Sequence, residues 1–303
     1  MPGALAFGTS ALGQDDSPAG RQRALRTAIA MLSTPDAVID TSNAYTGGRS
    51  EAILGEARWR LGGETSATIV TKVDADPVSG RLDRDRVLRS FEESCARLGV
   101  QRFSVLHLHD PYTITLRDAL APRGAIAGLR ELKDAGAVTA IGIAAGPVPL
   151  LAQYVESDAF DAVLTHNRFT LIDRSAVPVL ELARDRGMTV FNAAPFGGGI
   201  LARGARSDAT YAYVPAAPEL RAWVAKVDAI CARYALSVPA VALAFSLWSP
   251  MVDVTIIGIG SPARIHEVRS LRATRIPPEV WDEIAALGAA PSPLNDANDF
   301  RGM

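Results

Sequence analysis

Lysine is nearly missing from this chain of 303 residues. Lys72, Lys133 and Lys226 are the only three, and every other one of its 31 basic residues is arginine. Such a bias reflects the coding composition of a genome, and it makes each remaining lysine worth inspecting. An excess of positive charge is also missing: the formal net charge is −2. The electrostatic footprint of a nucleic-acid binder is therefore not there. Cysteine is scarce. Cys95 and Cys231 cannot build a disulfide framework, which fits a reducing cytoplasm. Long apolar runs are lacking as well. The longest candidate, 241–248, is interrupted by Ser246 and flanked by Pro239 and Pro250, far short of the ~20 residues a membrane helix needs. The stretch Met1-Pro2-Gly3-Ala4-Leu5 carries neither a basic region nor an apolar core, so no secretory signal is expected. These absences leave a soluble, cytoplasmic, catalytic protein as the expectation.

What is present is ordinary in amount, 48 % apolar and 21 % charged residues, but ordered in pattern. Short runs rich in Val, Ile and Phe recur at 4–8, 37–41, 67–73, 103–109, 139–143, 160–165, 189–193 and 252–258. They are apolar on both faces, as strands between a core and a layer of helices are. Between them, apolar residues repeat at three and four over 21–32, 50–61, 84–98, 124–135, 148–155, 175–186, 218–234 and 262–271. Two extra helices are expected at 239–248 and 278–287. Gly99, Gly136 and Gly187 stand where C-terminal caps belong. Eight strands alternating with eight helices imply parallel pairing with right-handed crossovers. That is the requirement of a (β/α)₈ TIM barrel. A doubly wound sheet would want G-x-G-x-x-G after its first strand, and Gly8-Thr9-Ser10-Ala11-Leu12-Gly13 does not fit. No linker divides the chain, so residues 1–303 read as one domain, with the Pro-, Asn- and Asp-rich stretch 291–303 as a mobile tail.

In a barrel of this kind, chemistry belongs at the C-terminal ends of the strands. There the sequence offers Asp40-Thr41-Ser42-Asn43-Ala44-Tyr45, then Val70-Thr71-Lys72, then His107-Leu108-His109-Asp110. Strand alternation puts Val38 with Asp40, Val70 with Lys72, and His107 with His109 on common faces. If those faces look inward, Asp40, Lys72 and His109 meet at the mouth, and Tyr45 folds over them from the loop. Alone, Asp40 reads equally well as a turn cap, Tyr45 as a packed aromatic and His109 as a core histidine. Lys72 is harder to dismiss, because a buried ammonium needs a partner. Together they make a coherent set. A phenol titrates near 10, and a neighbouring ammonium is expected to lower that value. Tyr45 then acts as general acid or base toward a carbonyl or alcohol oxygen. Asp40 aims Lys72, and His109 orients the oxygen. A hydride must come from a cofactor.

Those stretches resemble the aldo-keto reductases. Further matches are Arg49-Ser50-Glu51 with Leu54-Gly55, Gly128-Leu129-Arg130-Glu131-Leu132 running to Gly142, Ala194-Pro195-Phe196, and Ile256-Ile257-Gly258 with Ser261-Pro262. The resemblance implies a (β/α)₈ barrel, a nicotinamide cofactor, and a tetrad of Tyr45, Lys72, Asp40 and His109. A narrower likeness runs through Phe160-Asp161, Arg168-Phe169-Thr170-Leu171-Ile172-Asp173 and Gly199-Ile200-Leu201. It points to the branch of D-threo-aldose (L-fucose), L-galactose and pyridoxal dehydrogenases, and so to a small-molecule sugar or aldehyde as substrate.

The cofactor positions implied are less regular. Ala144-Ala145 stand where many members have Ser-Asn, and Ala193 where many have an aromatic residue. His166 and Asn167 are the substitutes for holding the carboxamide. Pro195, Phe196, Gly197 and Gly198 are expected near the pyrophosphate. Gly258, Gly260, Ser261, Arg264 and Glu267 are expected near the adenosine. Only Arg264 survives of the residues that usually hold a 2′-phosphate, which favours NAD over NADP or allows both. No metal is expected. Two competing readings remain at this point: a cofactor-binding subunit without catalysis, and a metallohydrolase using His107 and His109 with Asp110 and His166.

Overall fold

The structure, a computed structural model, describes residues 2–296. Eight parallel strands close into a barrel: β1 (Ala4–Gly8), β2 (Val38–Asp40), β3 (Thr68–Val73), β4 (Phe103–His109), β5 (Val138–Ala145), β6 (Ala162–His166), β7 (Thr189–Ala193) and β10 (Val254–Gly258). Between β7 and β10 lies a small antiparallel hairpin of β8 (Thr210–Tyr211) and β9 (Val214–Pro215). The first strand pairs with β2 on one side and β10 on the other, which closes the ring. The (β/α)₈ architecture is thus present, with extra helices at Val238–Leu247 and Pro278–Ala286 near the expected places.

The barrel has two apolar layers. Between strands and helices sits the large core that includes Ile39, Leu54, Leu106, Leu108, Leu129, Ile143 and Val190. Inside the ring sits a smaller cluster of Ala6, Ala144, Ala162, Leu164, Phe191 and Ile256. Small residues on three strands make room there for two rings. Phe191 meets His107 edge-on, with ring centroids 5.2 Å apart. A Cβ on Gly142 would lie 2.4 Å from His107 Nδ1, so that position must stay glycine while His107 fills the space.

Helix ends follow local chemistry. Asp83 caps Arg84–Leu98 by accepting from the Arg86 N–H, and Gly99 ends it at φ 66°. Gly55, on the helix Arg49–Arg60, faces the neighbouring helix so closely that a Cβ would lie 1.8 Å from the Arg97 carbonyl oxygen. A Gly55→Ala variant should lose about 1–3 kcal/mol of stability by overpacking. Thermal unfolding checks this, and an unchanged melting temperature would contradict it.

The described part of the tail makes specific contacts. Asp296 accepts from Arg168 Nη2 at 2.6 Å and from the Val148 N–H at 2.9 Å. Ser292 donates to Asp173 at 2.5 Å. Residues 291–296 are therefore tied down by ion pairing and hydrogen bonds, and 297–303 lie outside the described residues. Among the described residues no single helix is long and apolar enough to cross a membrane.

Candidate active site

Strand alternation does what the sequence suggests. Asp40, Lys72, His107 and His109 share the inward parity of Val38, Val105 and Ala144, and Lys72 pairs in register with His107. The Lys72 ammonium is 1 % exposed. Its three N–H donors have three acceptors: Asp40 Oδ1 at 2.8 Å, the Thr41 carbonyl oxygen at 2.7 Å and the Tyr45 hydroxyl oxygen at 3.1 Å. The count matches an ammonium completely. Burial pulls the Lys72 pKa down, but Asp40 and Tyr45 outweigh it and hold the group charged above its ordinary range.

The loop after β2 carries Tyr45, and it is stitched at several points. The Thr9 hydroxyl donates to the Asp40 carbonyl oxygen, and Ser50 Oγ lies 2.8 Å from Thr9 Oγ1. Buried Asn43 donates to the Ser90 carbonyl oxygen and accepts from Arg86 Nη2. Thr46 holds φ 52°, in the left-handed region, and its hydroxyl donates to the Leu12 carbonyl oxygen. That turn swings Tyr45 back over the barrel mouth, where its ring stands edge-on to His109 with centroids 5.8 Å apart.

One electrostatic expectation is reversed. The Tyr45 hydroxyl is pushed up to about 12, not down. Burial is the largest cause and outweighs the favourable Lys72 charge, while Asp40 adds to the rise. Tyr45 is thus a neutral hydroxyl whose oxygen accepts from Lys72, leaving its proton for a second acceptor.

His109 has a partner the sequence reading passed over. Its Nδ1 lies 2.6 Å from Asp74 Oδ1. Asp74 also accepts from Ser42 Oγ at 2.5 Å and from the Ala44 N–H at 3.0 Å. The signal is in the sequence: Asp74 is two residues beyond Lys72 and so shares its parity, but it lies just past the end of the apolar run 67–73.

The cofactor candidates fall into two groups. Phe196, Arg264 and Glu267 come together: the Arg264 guanidinium lies 5.0 Å from the Phe196 ring centroid and pairs with Glu267. Ser261 caps Pro262–Ala273 by accepting from the Arg264 N–H, and Gly258 and Gly260 face open space beside that helix start. Across the mouth, His166 ends β6 and Asn167 follows at φ 60°. Asn167 Nδ2 and His166 Nδ1 are 3.1 Å apart, and among the described residues the buried Asn167 Oδ1 has no partner. Burial pushes the His166 pKa down to about 4, so it is neutral. Pro195 sits between Ala194, at φ 56°, and Phe196. Gly197 and Gly198 meet protein rather than open space: a Cβ on Gly197 would lie 2.3 Å from the Tyr211 ring, and one on Gly198 3.1 Å from the Ala212 nitrogen. Their freedom is used to seat the hairpin.

The metallohydrolase reading loses its geometry. His107 is enclosed against Phe191, whereas His109 turns to Asp74. Among the described residues no group of three His, Cys, Asp or Glu side chains comes together as a metal site.

The profile described as Aldo/keto reductase family matches residues 4–289. The D-threo-aldose 1-dehydrogenase of a Pseudomonas species is 31 % identical over 206 residues, covering 67 % of this chain and 62 % of that protein. The pyridoxal 4-dehydrogenase of Microbacterium luteolum is 30 % identical over 212 residues, with the same coverage. The chain thus spans somewhat under two thirds of the length of these two relatives. Among solved structures, the holo form of aldo-keto reductase AKR11C1 from Bacillus halodurans superposes with a TM-score of 0.77 at 20 % identity, over 95 % of this chain and 93 % of that one.

Proposed function

Because the chain belongs to the aldo/keto reductase family, we propose that it is a nicotinamide-dependent oxidoreductase acting at a carbonyl or alcohol carbon, with Tyr45 as its proton donor and acceptor. The observation that carries this reading is the Lys72 ammonium, buried and bonded at once to Asp40 and to the Tyr45 hydroxyl. Nothing in barrel packing calls for a buried charge there, and burying one is costly unless it is paired.

The residues at the mouth fit a nicotinamide cofactor. The unpartnered Asn167 Oδ1 is a buried acceptor in search of a donor, as a carboxamide would supply. His166 would stand beside it. Phe196 and Pro195, with Gly197 and Gly198 behind them, would flank the pyrophosphate. Gly258, Gly260 and Ser261 open a helix whose free N–H groups suit an anionic or hydroxylic end. Arg264 already pairs with Glu267, which weakens it as a 2′-phosphate ligand and supports NAD as the preferred form. When bound, the nicotinamide supplies or accepts the hydride.

The side chains do the rest. Tyr45, neutral at physiological pH, gives its proton to a carbonyl oxygen at the mouth. Lys72 then faces the phenolate at hydrogen-bond distance and stabilises it. Asp40 keeps Lys72 charged and in place. His109 donates a hydrogen bond that orients the same oxygen. In the oxidative direction the phenolate takes the hydroxyl proton back. The likeness to the two dehydrogenases supports an aldose oxidised at C1, or an aldehyde such as pyridoxal, as substrate. The buried, unpaired Cys95 and Cys231 are in keeping with a cytoplasmic setting, and we treat residues 1–303 as a single domain.

A panel of aldoses, pyridoxal and simple aldehydes, assayed with NAD(H) and NADP(H) at the absorbance of the reduced nicotinamide, tests the proposal. Turnover of at least one sugar or aldehyde is expected, with NAD(H) the better cofactor. Tight cofactor binding with no turnover across the panel would instead support a non-catalytic subunit.

A further inference from the structure

Resting on the oxidoreductase reading, we propose that Asp74 is a positioning residue for His109, fixing which ring nitrogen meets the substrate oxygen and keeping that nitrogen protonated.

The geometry is specific. A carboxylate can only accept, so the 2.6 Å contact between Asp74 Oδ1 and His109 Nδ1 places a proton on Nδ1. The second carboxylate oxygen is held by the Ser42 hydroxyl and the Ala44 N–H, so Asp74 cannot swing away from the ring. Ser42 Oγ lies 3.3 Å from the same Nδ1 and completes the bracket. Only Nε2 is left for a ligand.

Every charged or titratable group around the ring bears on its protonation. Asp74, just after β3, lies on one side, and Asp110 Oδ2 lies 3.6 Å from Nε2 on the other. Lys72, the Tyr45 hydroxyl, neutral His107 on the same strand and neutral His166 on β6 complete the surroundings. Burial and Lys72 work against a charged ring, yet the two carboxylates outweigh them, and His109 titrates above its ordinary 6.5. Burial likewise works against Asp74, but His109, Ser42 and the Ala44 N–H hold its carboxyl below the usual range. The pair therefore stays an imidazolium beside a carboxylate to a higher pH than an isolated histidine would. An Nε2–H on a charged ring is a stronger donor to an oxygen gaining negative charge than a neutral ring can be.

The sign of the pH effect follows. The charged ring persists to a pH above 6.5 because Asp74 is there. Without that charge, Asp110 alone opposes burial and Lys72, and the midpoint falls. In Asp74→Asn the ¹⁵N-detected midpoint of His109, assigned with His109→Gln, should fall by at least one unit. The loss in kcat/KM for carbonyl reduction should be about tenfold greater at pH 8 than at pH 5.5, since one unit is a factor of ten in protonation. If Asp74 only clamps the Tyr45 loop through Ala44, the His109 midpoint will not move and the loss will be equal at both pH values, which overturns the proposal. Should Asp74→Asn fail to fold, the unaltered chain still decides. Its His109 must titrate above 6.5 and leave the proton on Nδ1 at high pH; a proton on Nε2, or a midpoint below 6.5, contradicts it. These spectra need no turnover, so failure of the oxidoreductase reading shows separately, as an unaltered chain that reduces nothing.

Discussion

Tyr45→Phe is expected to cut turnover by about 10²–10⁴-fold, the usual worth of a positioned proton donor, while nicotinamide affinity measured by quenching of tryptophan fluorescence stays within about twofold, because no contact to the cofactor is assigned to that hydroxyl. The reasoning is local. The hydroxyl is bonded by Lys72 at 3.1 Å and its proton is free to leave toward the mouth. Phenylalanine keeps the ring and its edge-on packing against His109. It removes only the hydroxyl, and with it the acceptor of one Lys72 donor. A single orphaned donor costs ~1–3 kcal/mol of stability, which a chain of this size tolerates, so the variant should fold. Unchanged turnover in a folded Tyr45→Phe protein would end the mechanism.

Lys72→Arg is expected to be as damaging to turnover and worse for folding. Lysine places three donors on one nitrogen, and all three find partners within 3.1 Å. A guanidinium spreads five donors over a plane and cannot aim three of them at one point. In a site with 1 % exposure the surplus donors would stay unpaired, at ~1–3 kcal/mol each. Lys72→Met removes the charge instead and leaves Asp40 buried without its cation, a change that costs ~3–5 kcal/mol. Both variants should therefore melt well below the unaltered protein and show turnover reduced by about 10²-fold or more. Wild-type stability together with wild-type turnover in Lys72→Arg would show that the ammonium's shape does not matter. The other two lysines make the contrast. Lys133 bonds Asp161 from a partly exposed helix position, and Lys226 is exposed. Arginine could serve at either, in a chain that uses arginine almost everywhere else.

Much of this was legible before the fold was known, for a physical reason. Strands alternate their faces, so the parity of Asp40, Lys72 and His109 could be counted, and apolar runs fixed β1, β4 and β7 to the residue. Elements set by tertiary contact were less legible. β6 starts at Ala162 rather than at residue 160 because Asp161 is taken by Lys133 and the Ile141 N–H. The short helix Leu116–Leu120, in a stretch read as loop, rests on a capping box between Thr115 and Asp118. The hairpin of β8 and β9 exists because Tyr211 docks on Gly197 and bonds Thr170 and the Asn167 carbonyl oxygen. At the site, the placement of Tyr45 over the mouth was readable, but the direction of its pKa was not. That direction depends on how much water the fold excludes, and burial proves stronger than the neighbouring charge. Asp74 was hidden for a related reason, since its meaning lies in a contact between the ends of two strands.

On the proposed function, a hydride passes between a substrate carbon and a nicotinamide at the mouth formed by Tyr45, Lys72, Asp40 and His109. An aldose active in the panel, deuterated at C1, tests it most directly. The account predicts that the label appears on C4 of the reduced nicotinamide, seen by mass spectrometry and proton NMR, and that Tyr45→Phe abolishes its transfer. Label released to water, or retained on the sugar while product forms, would contradict it.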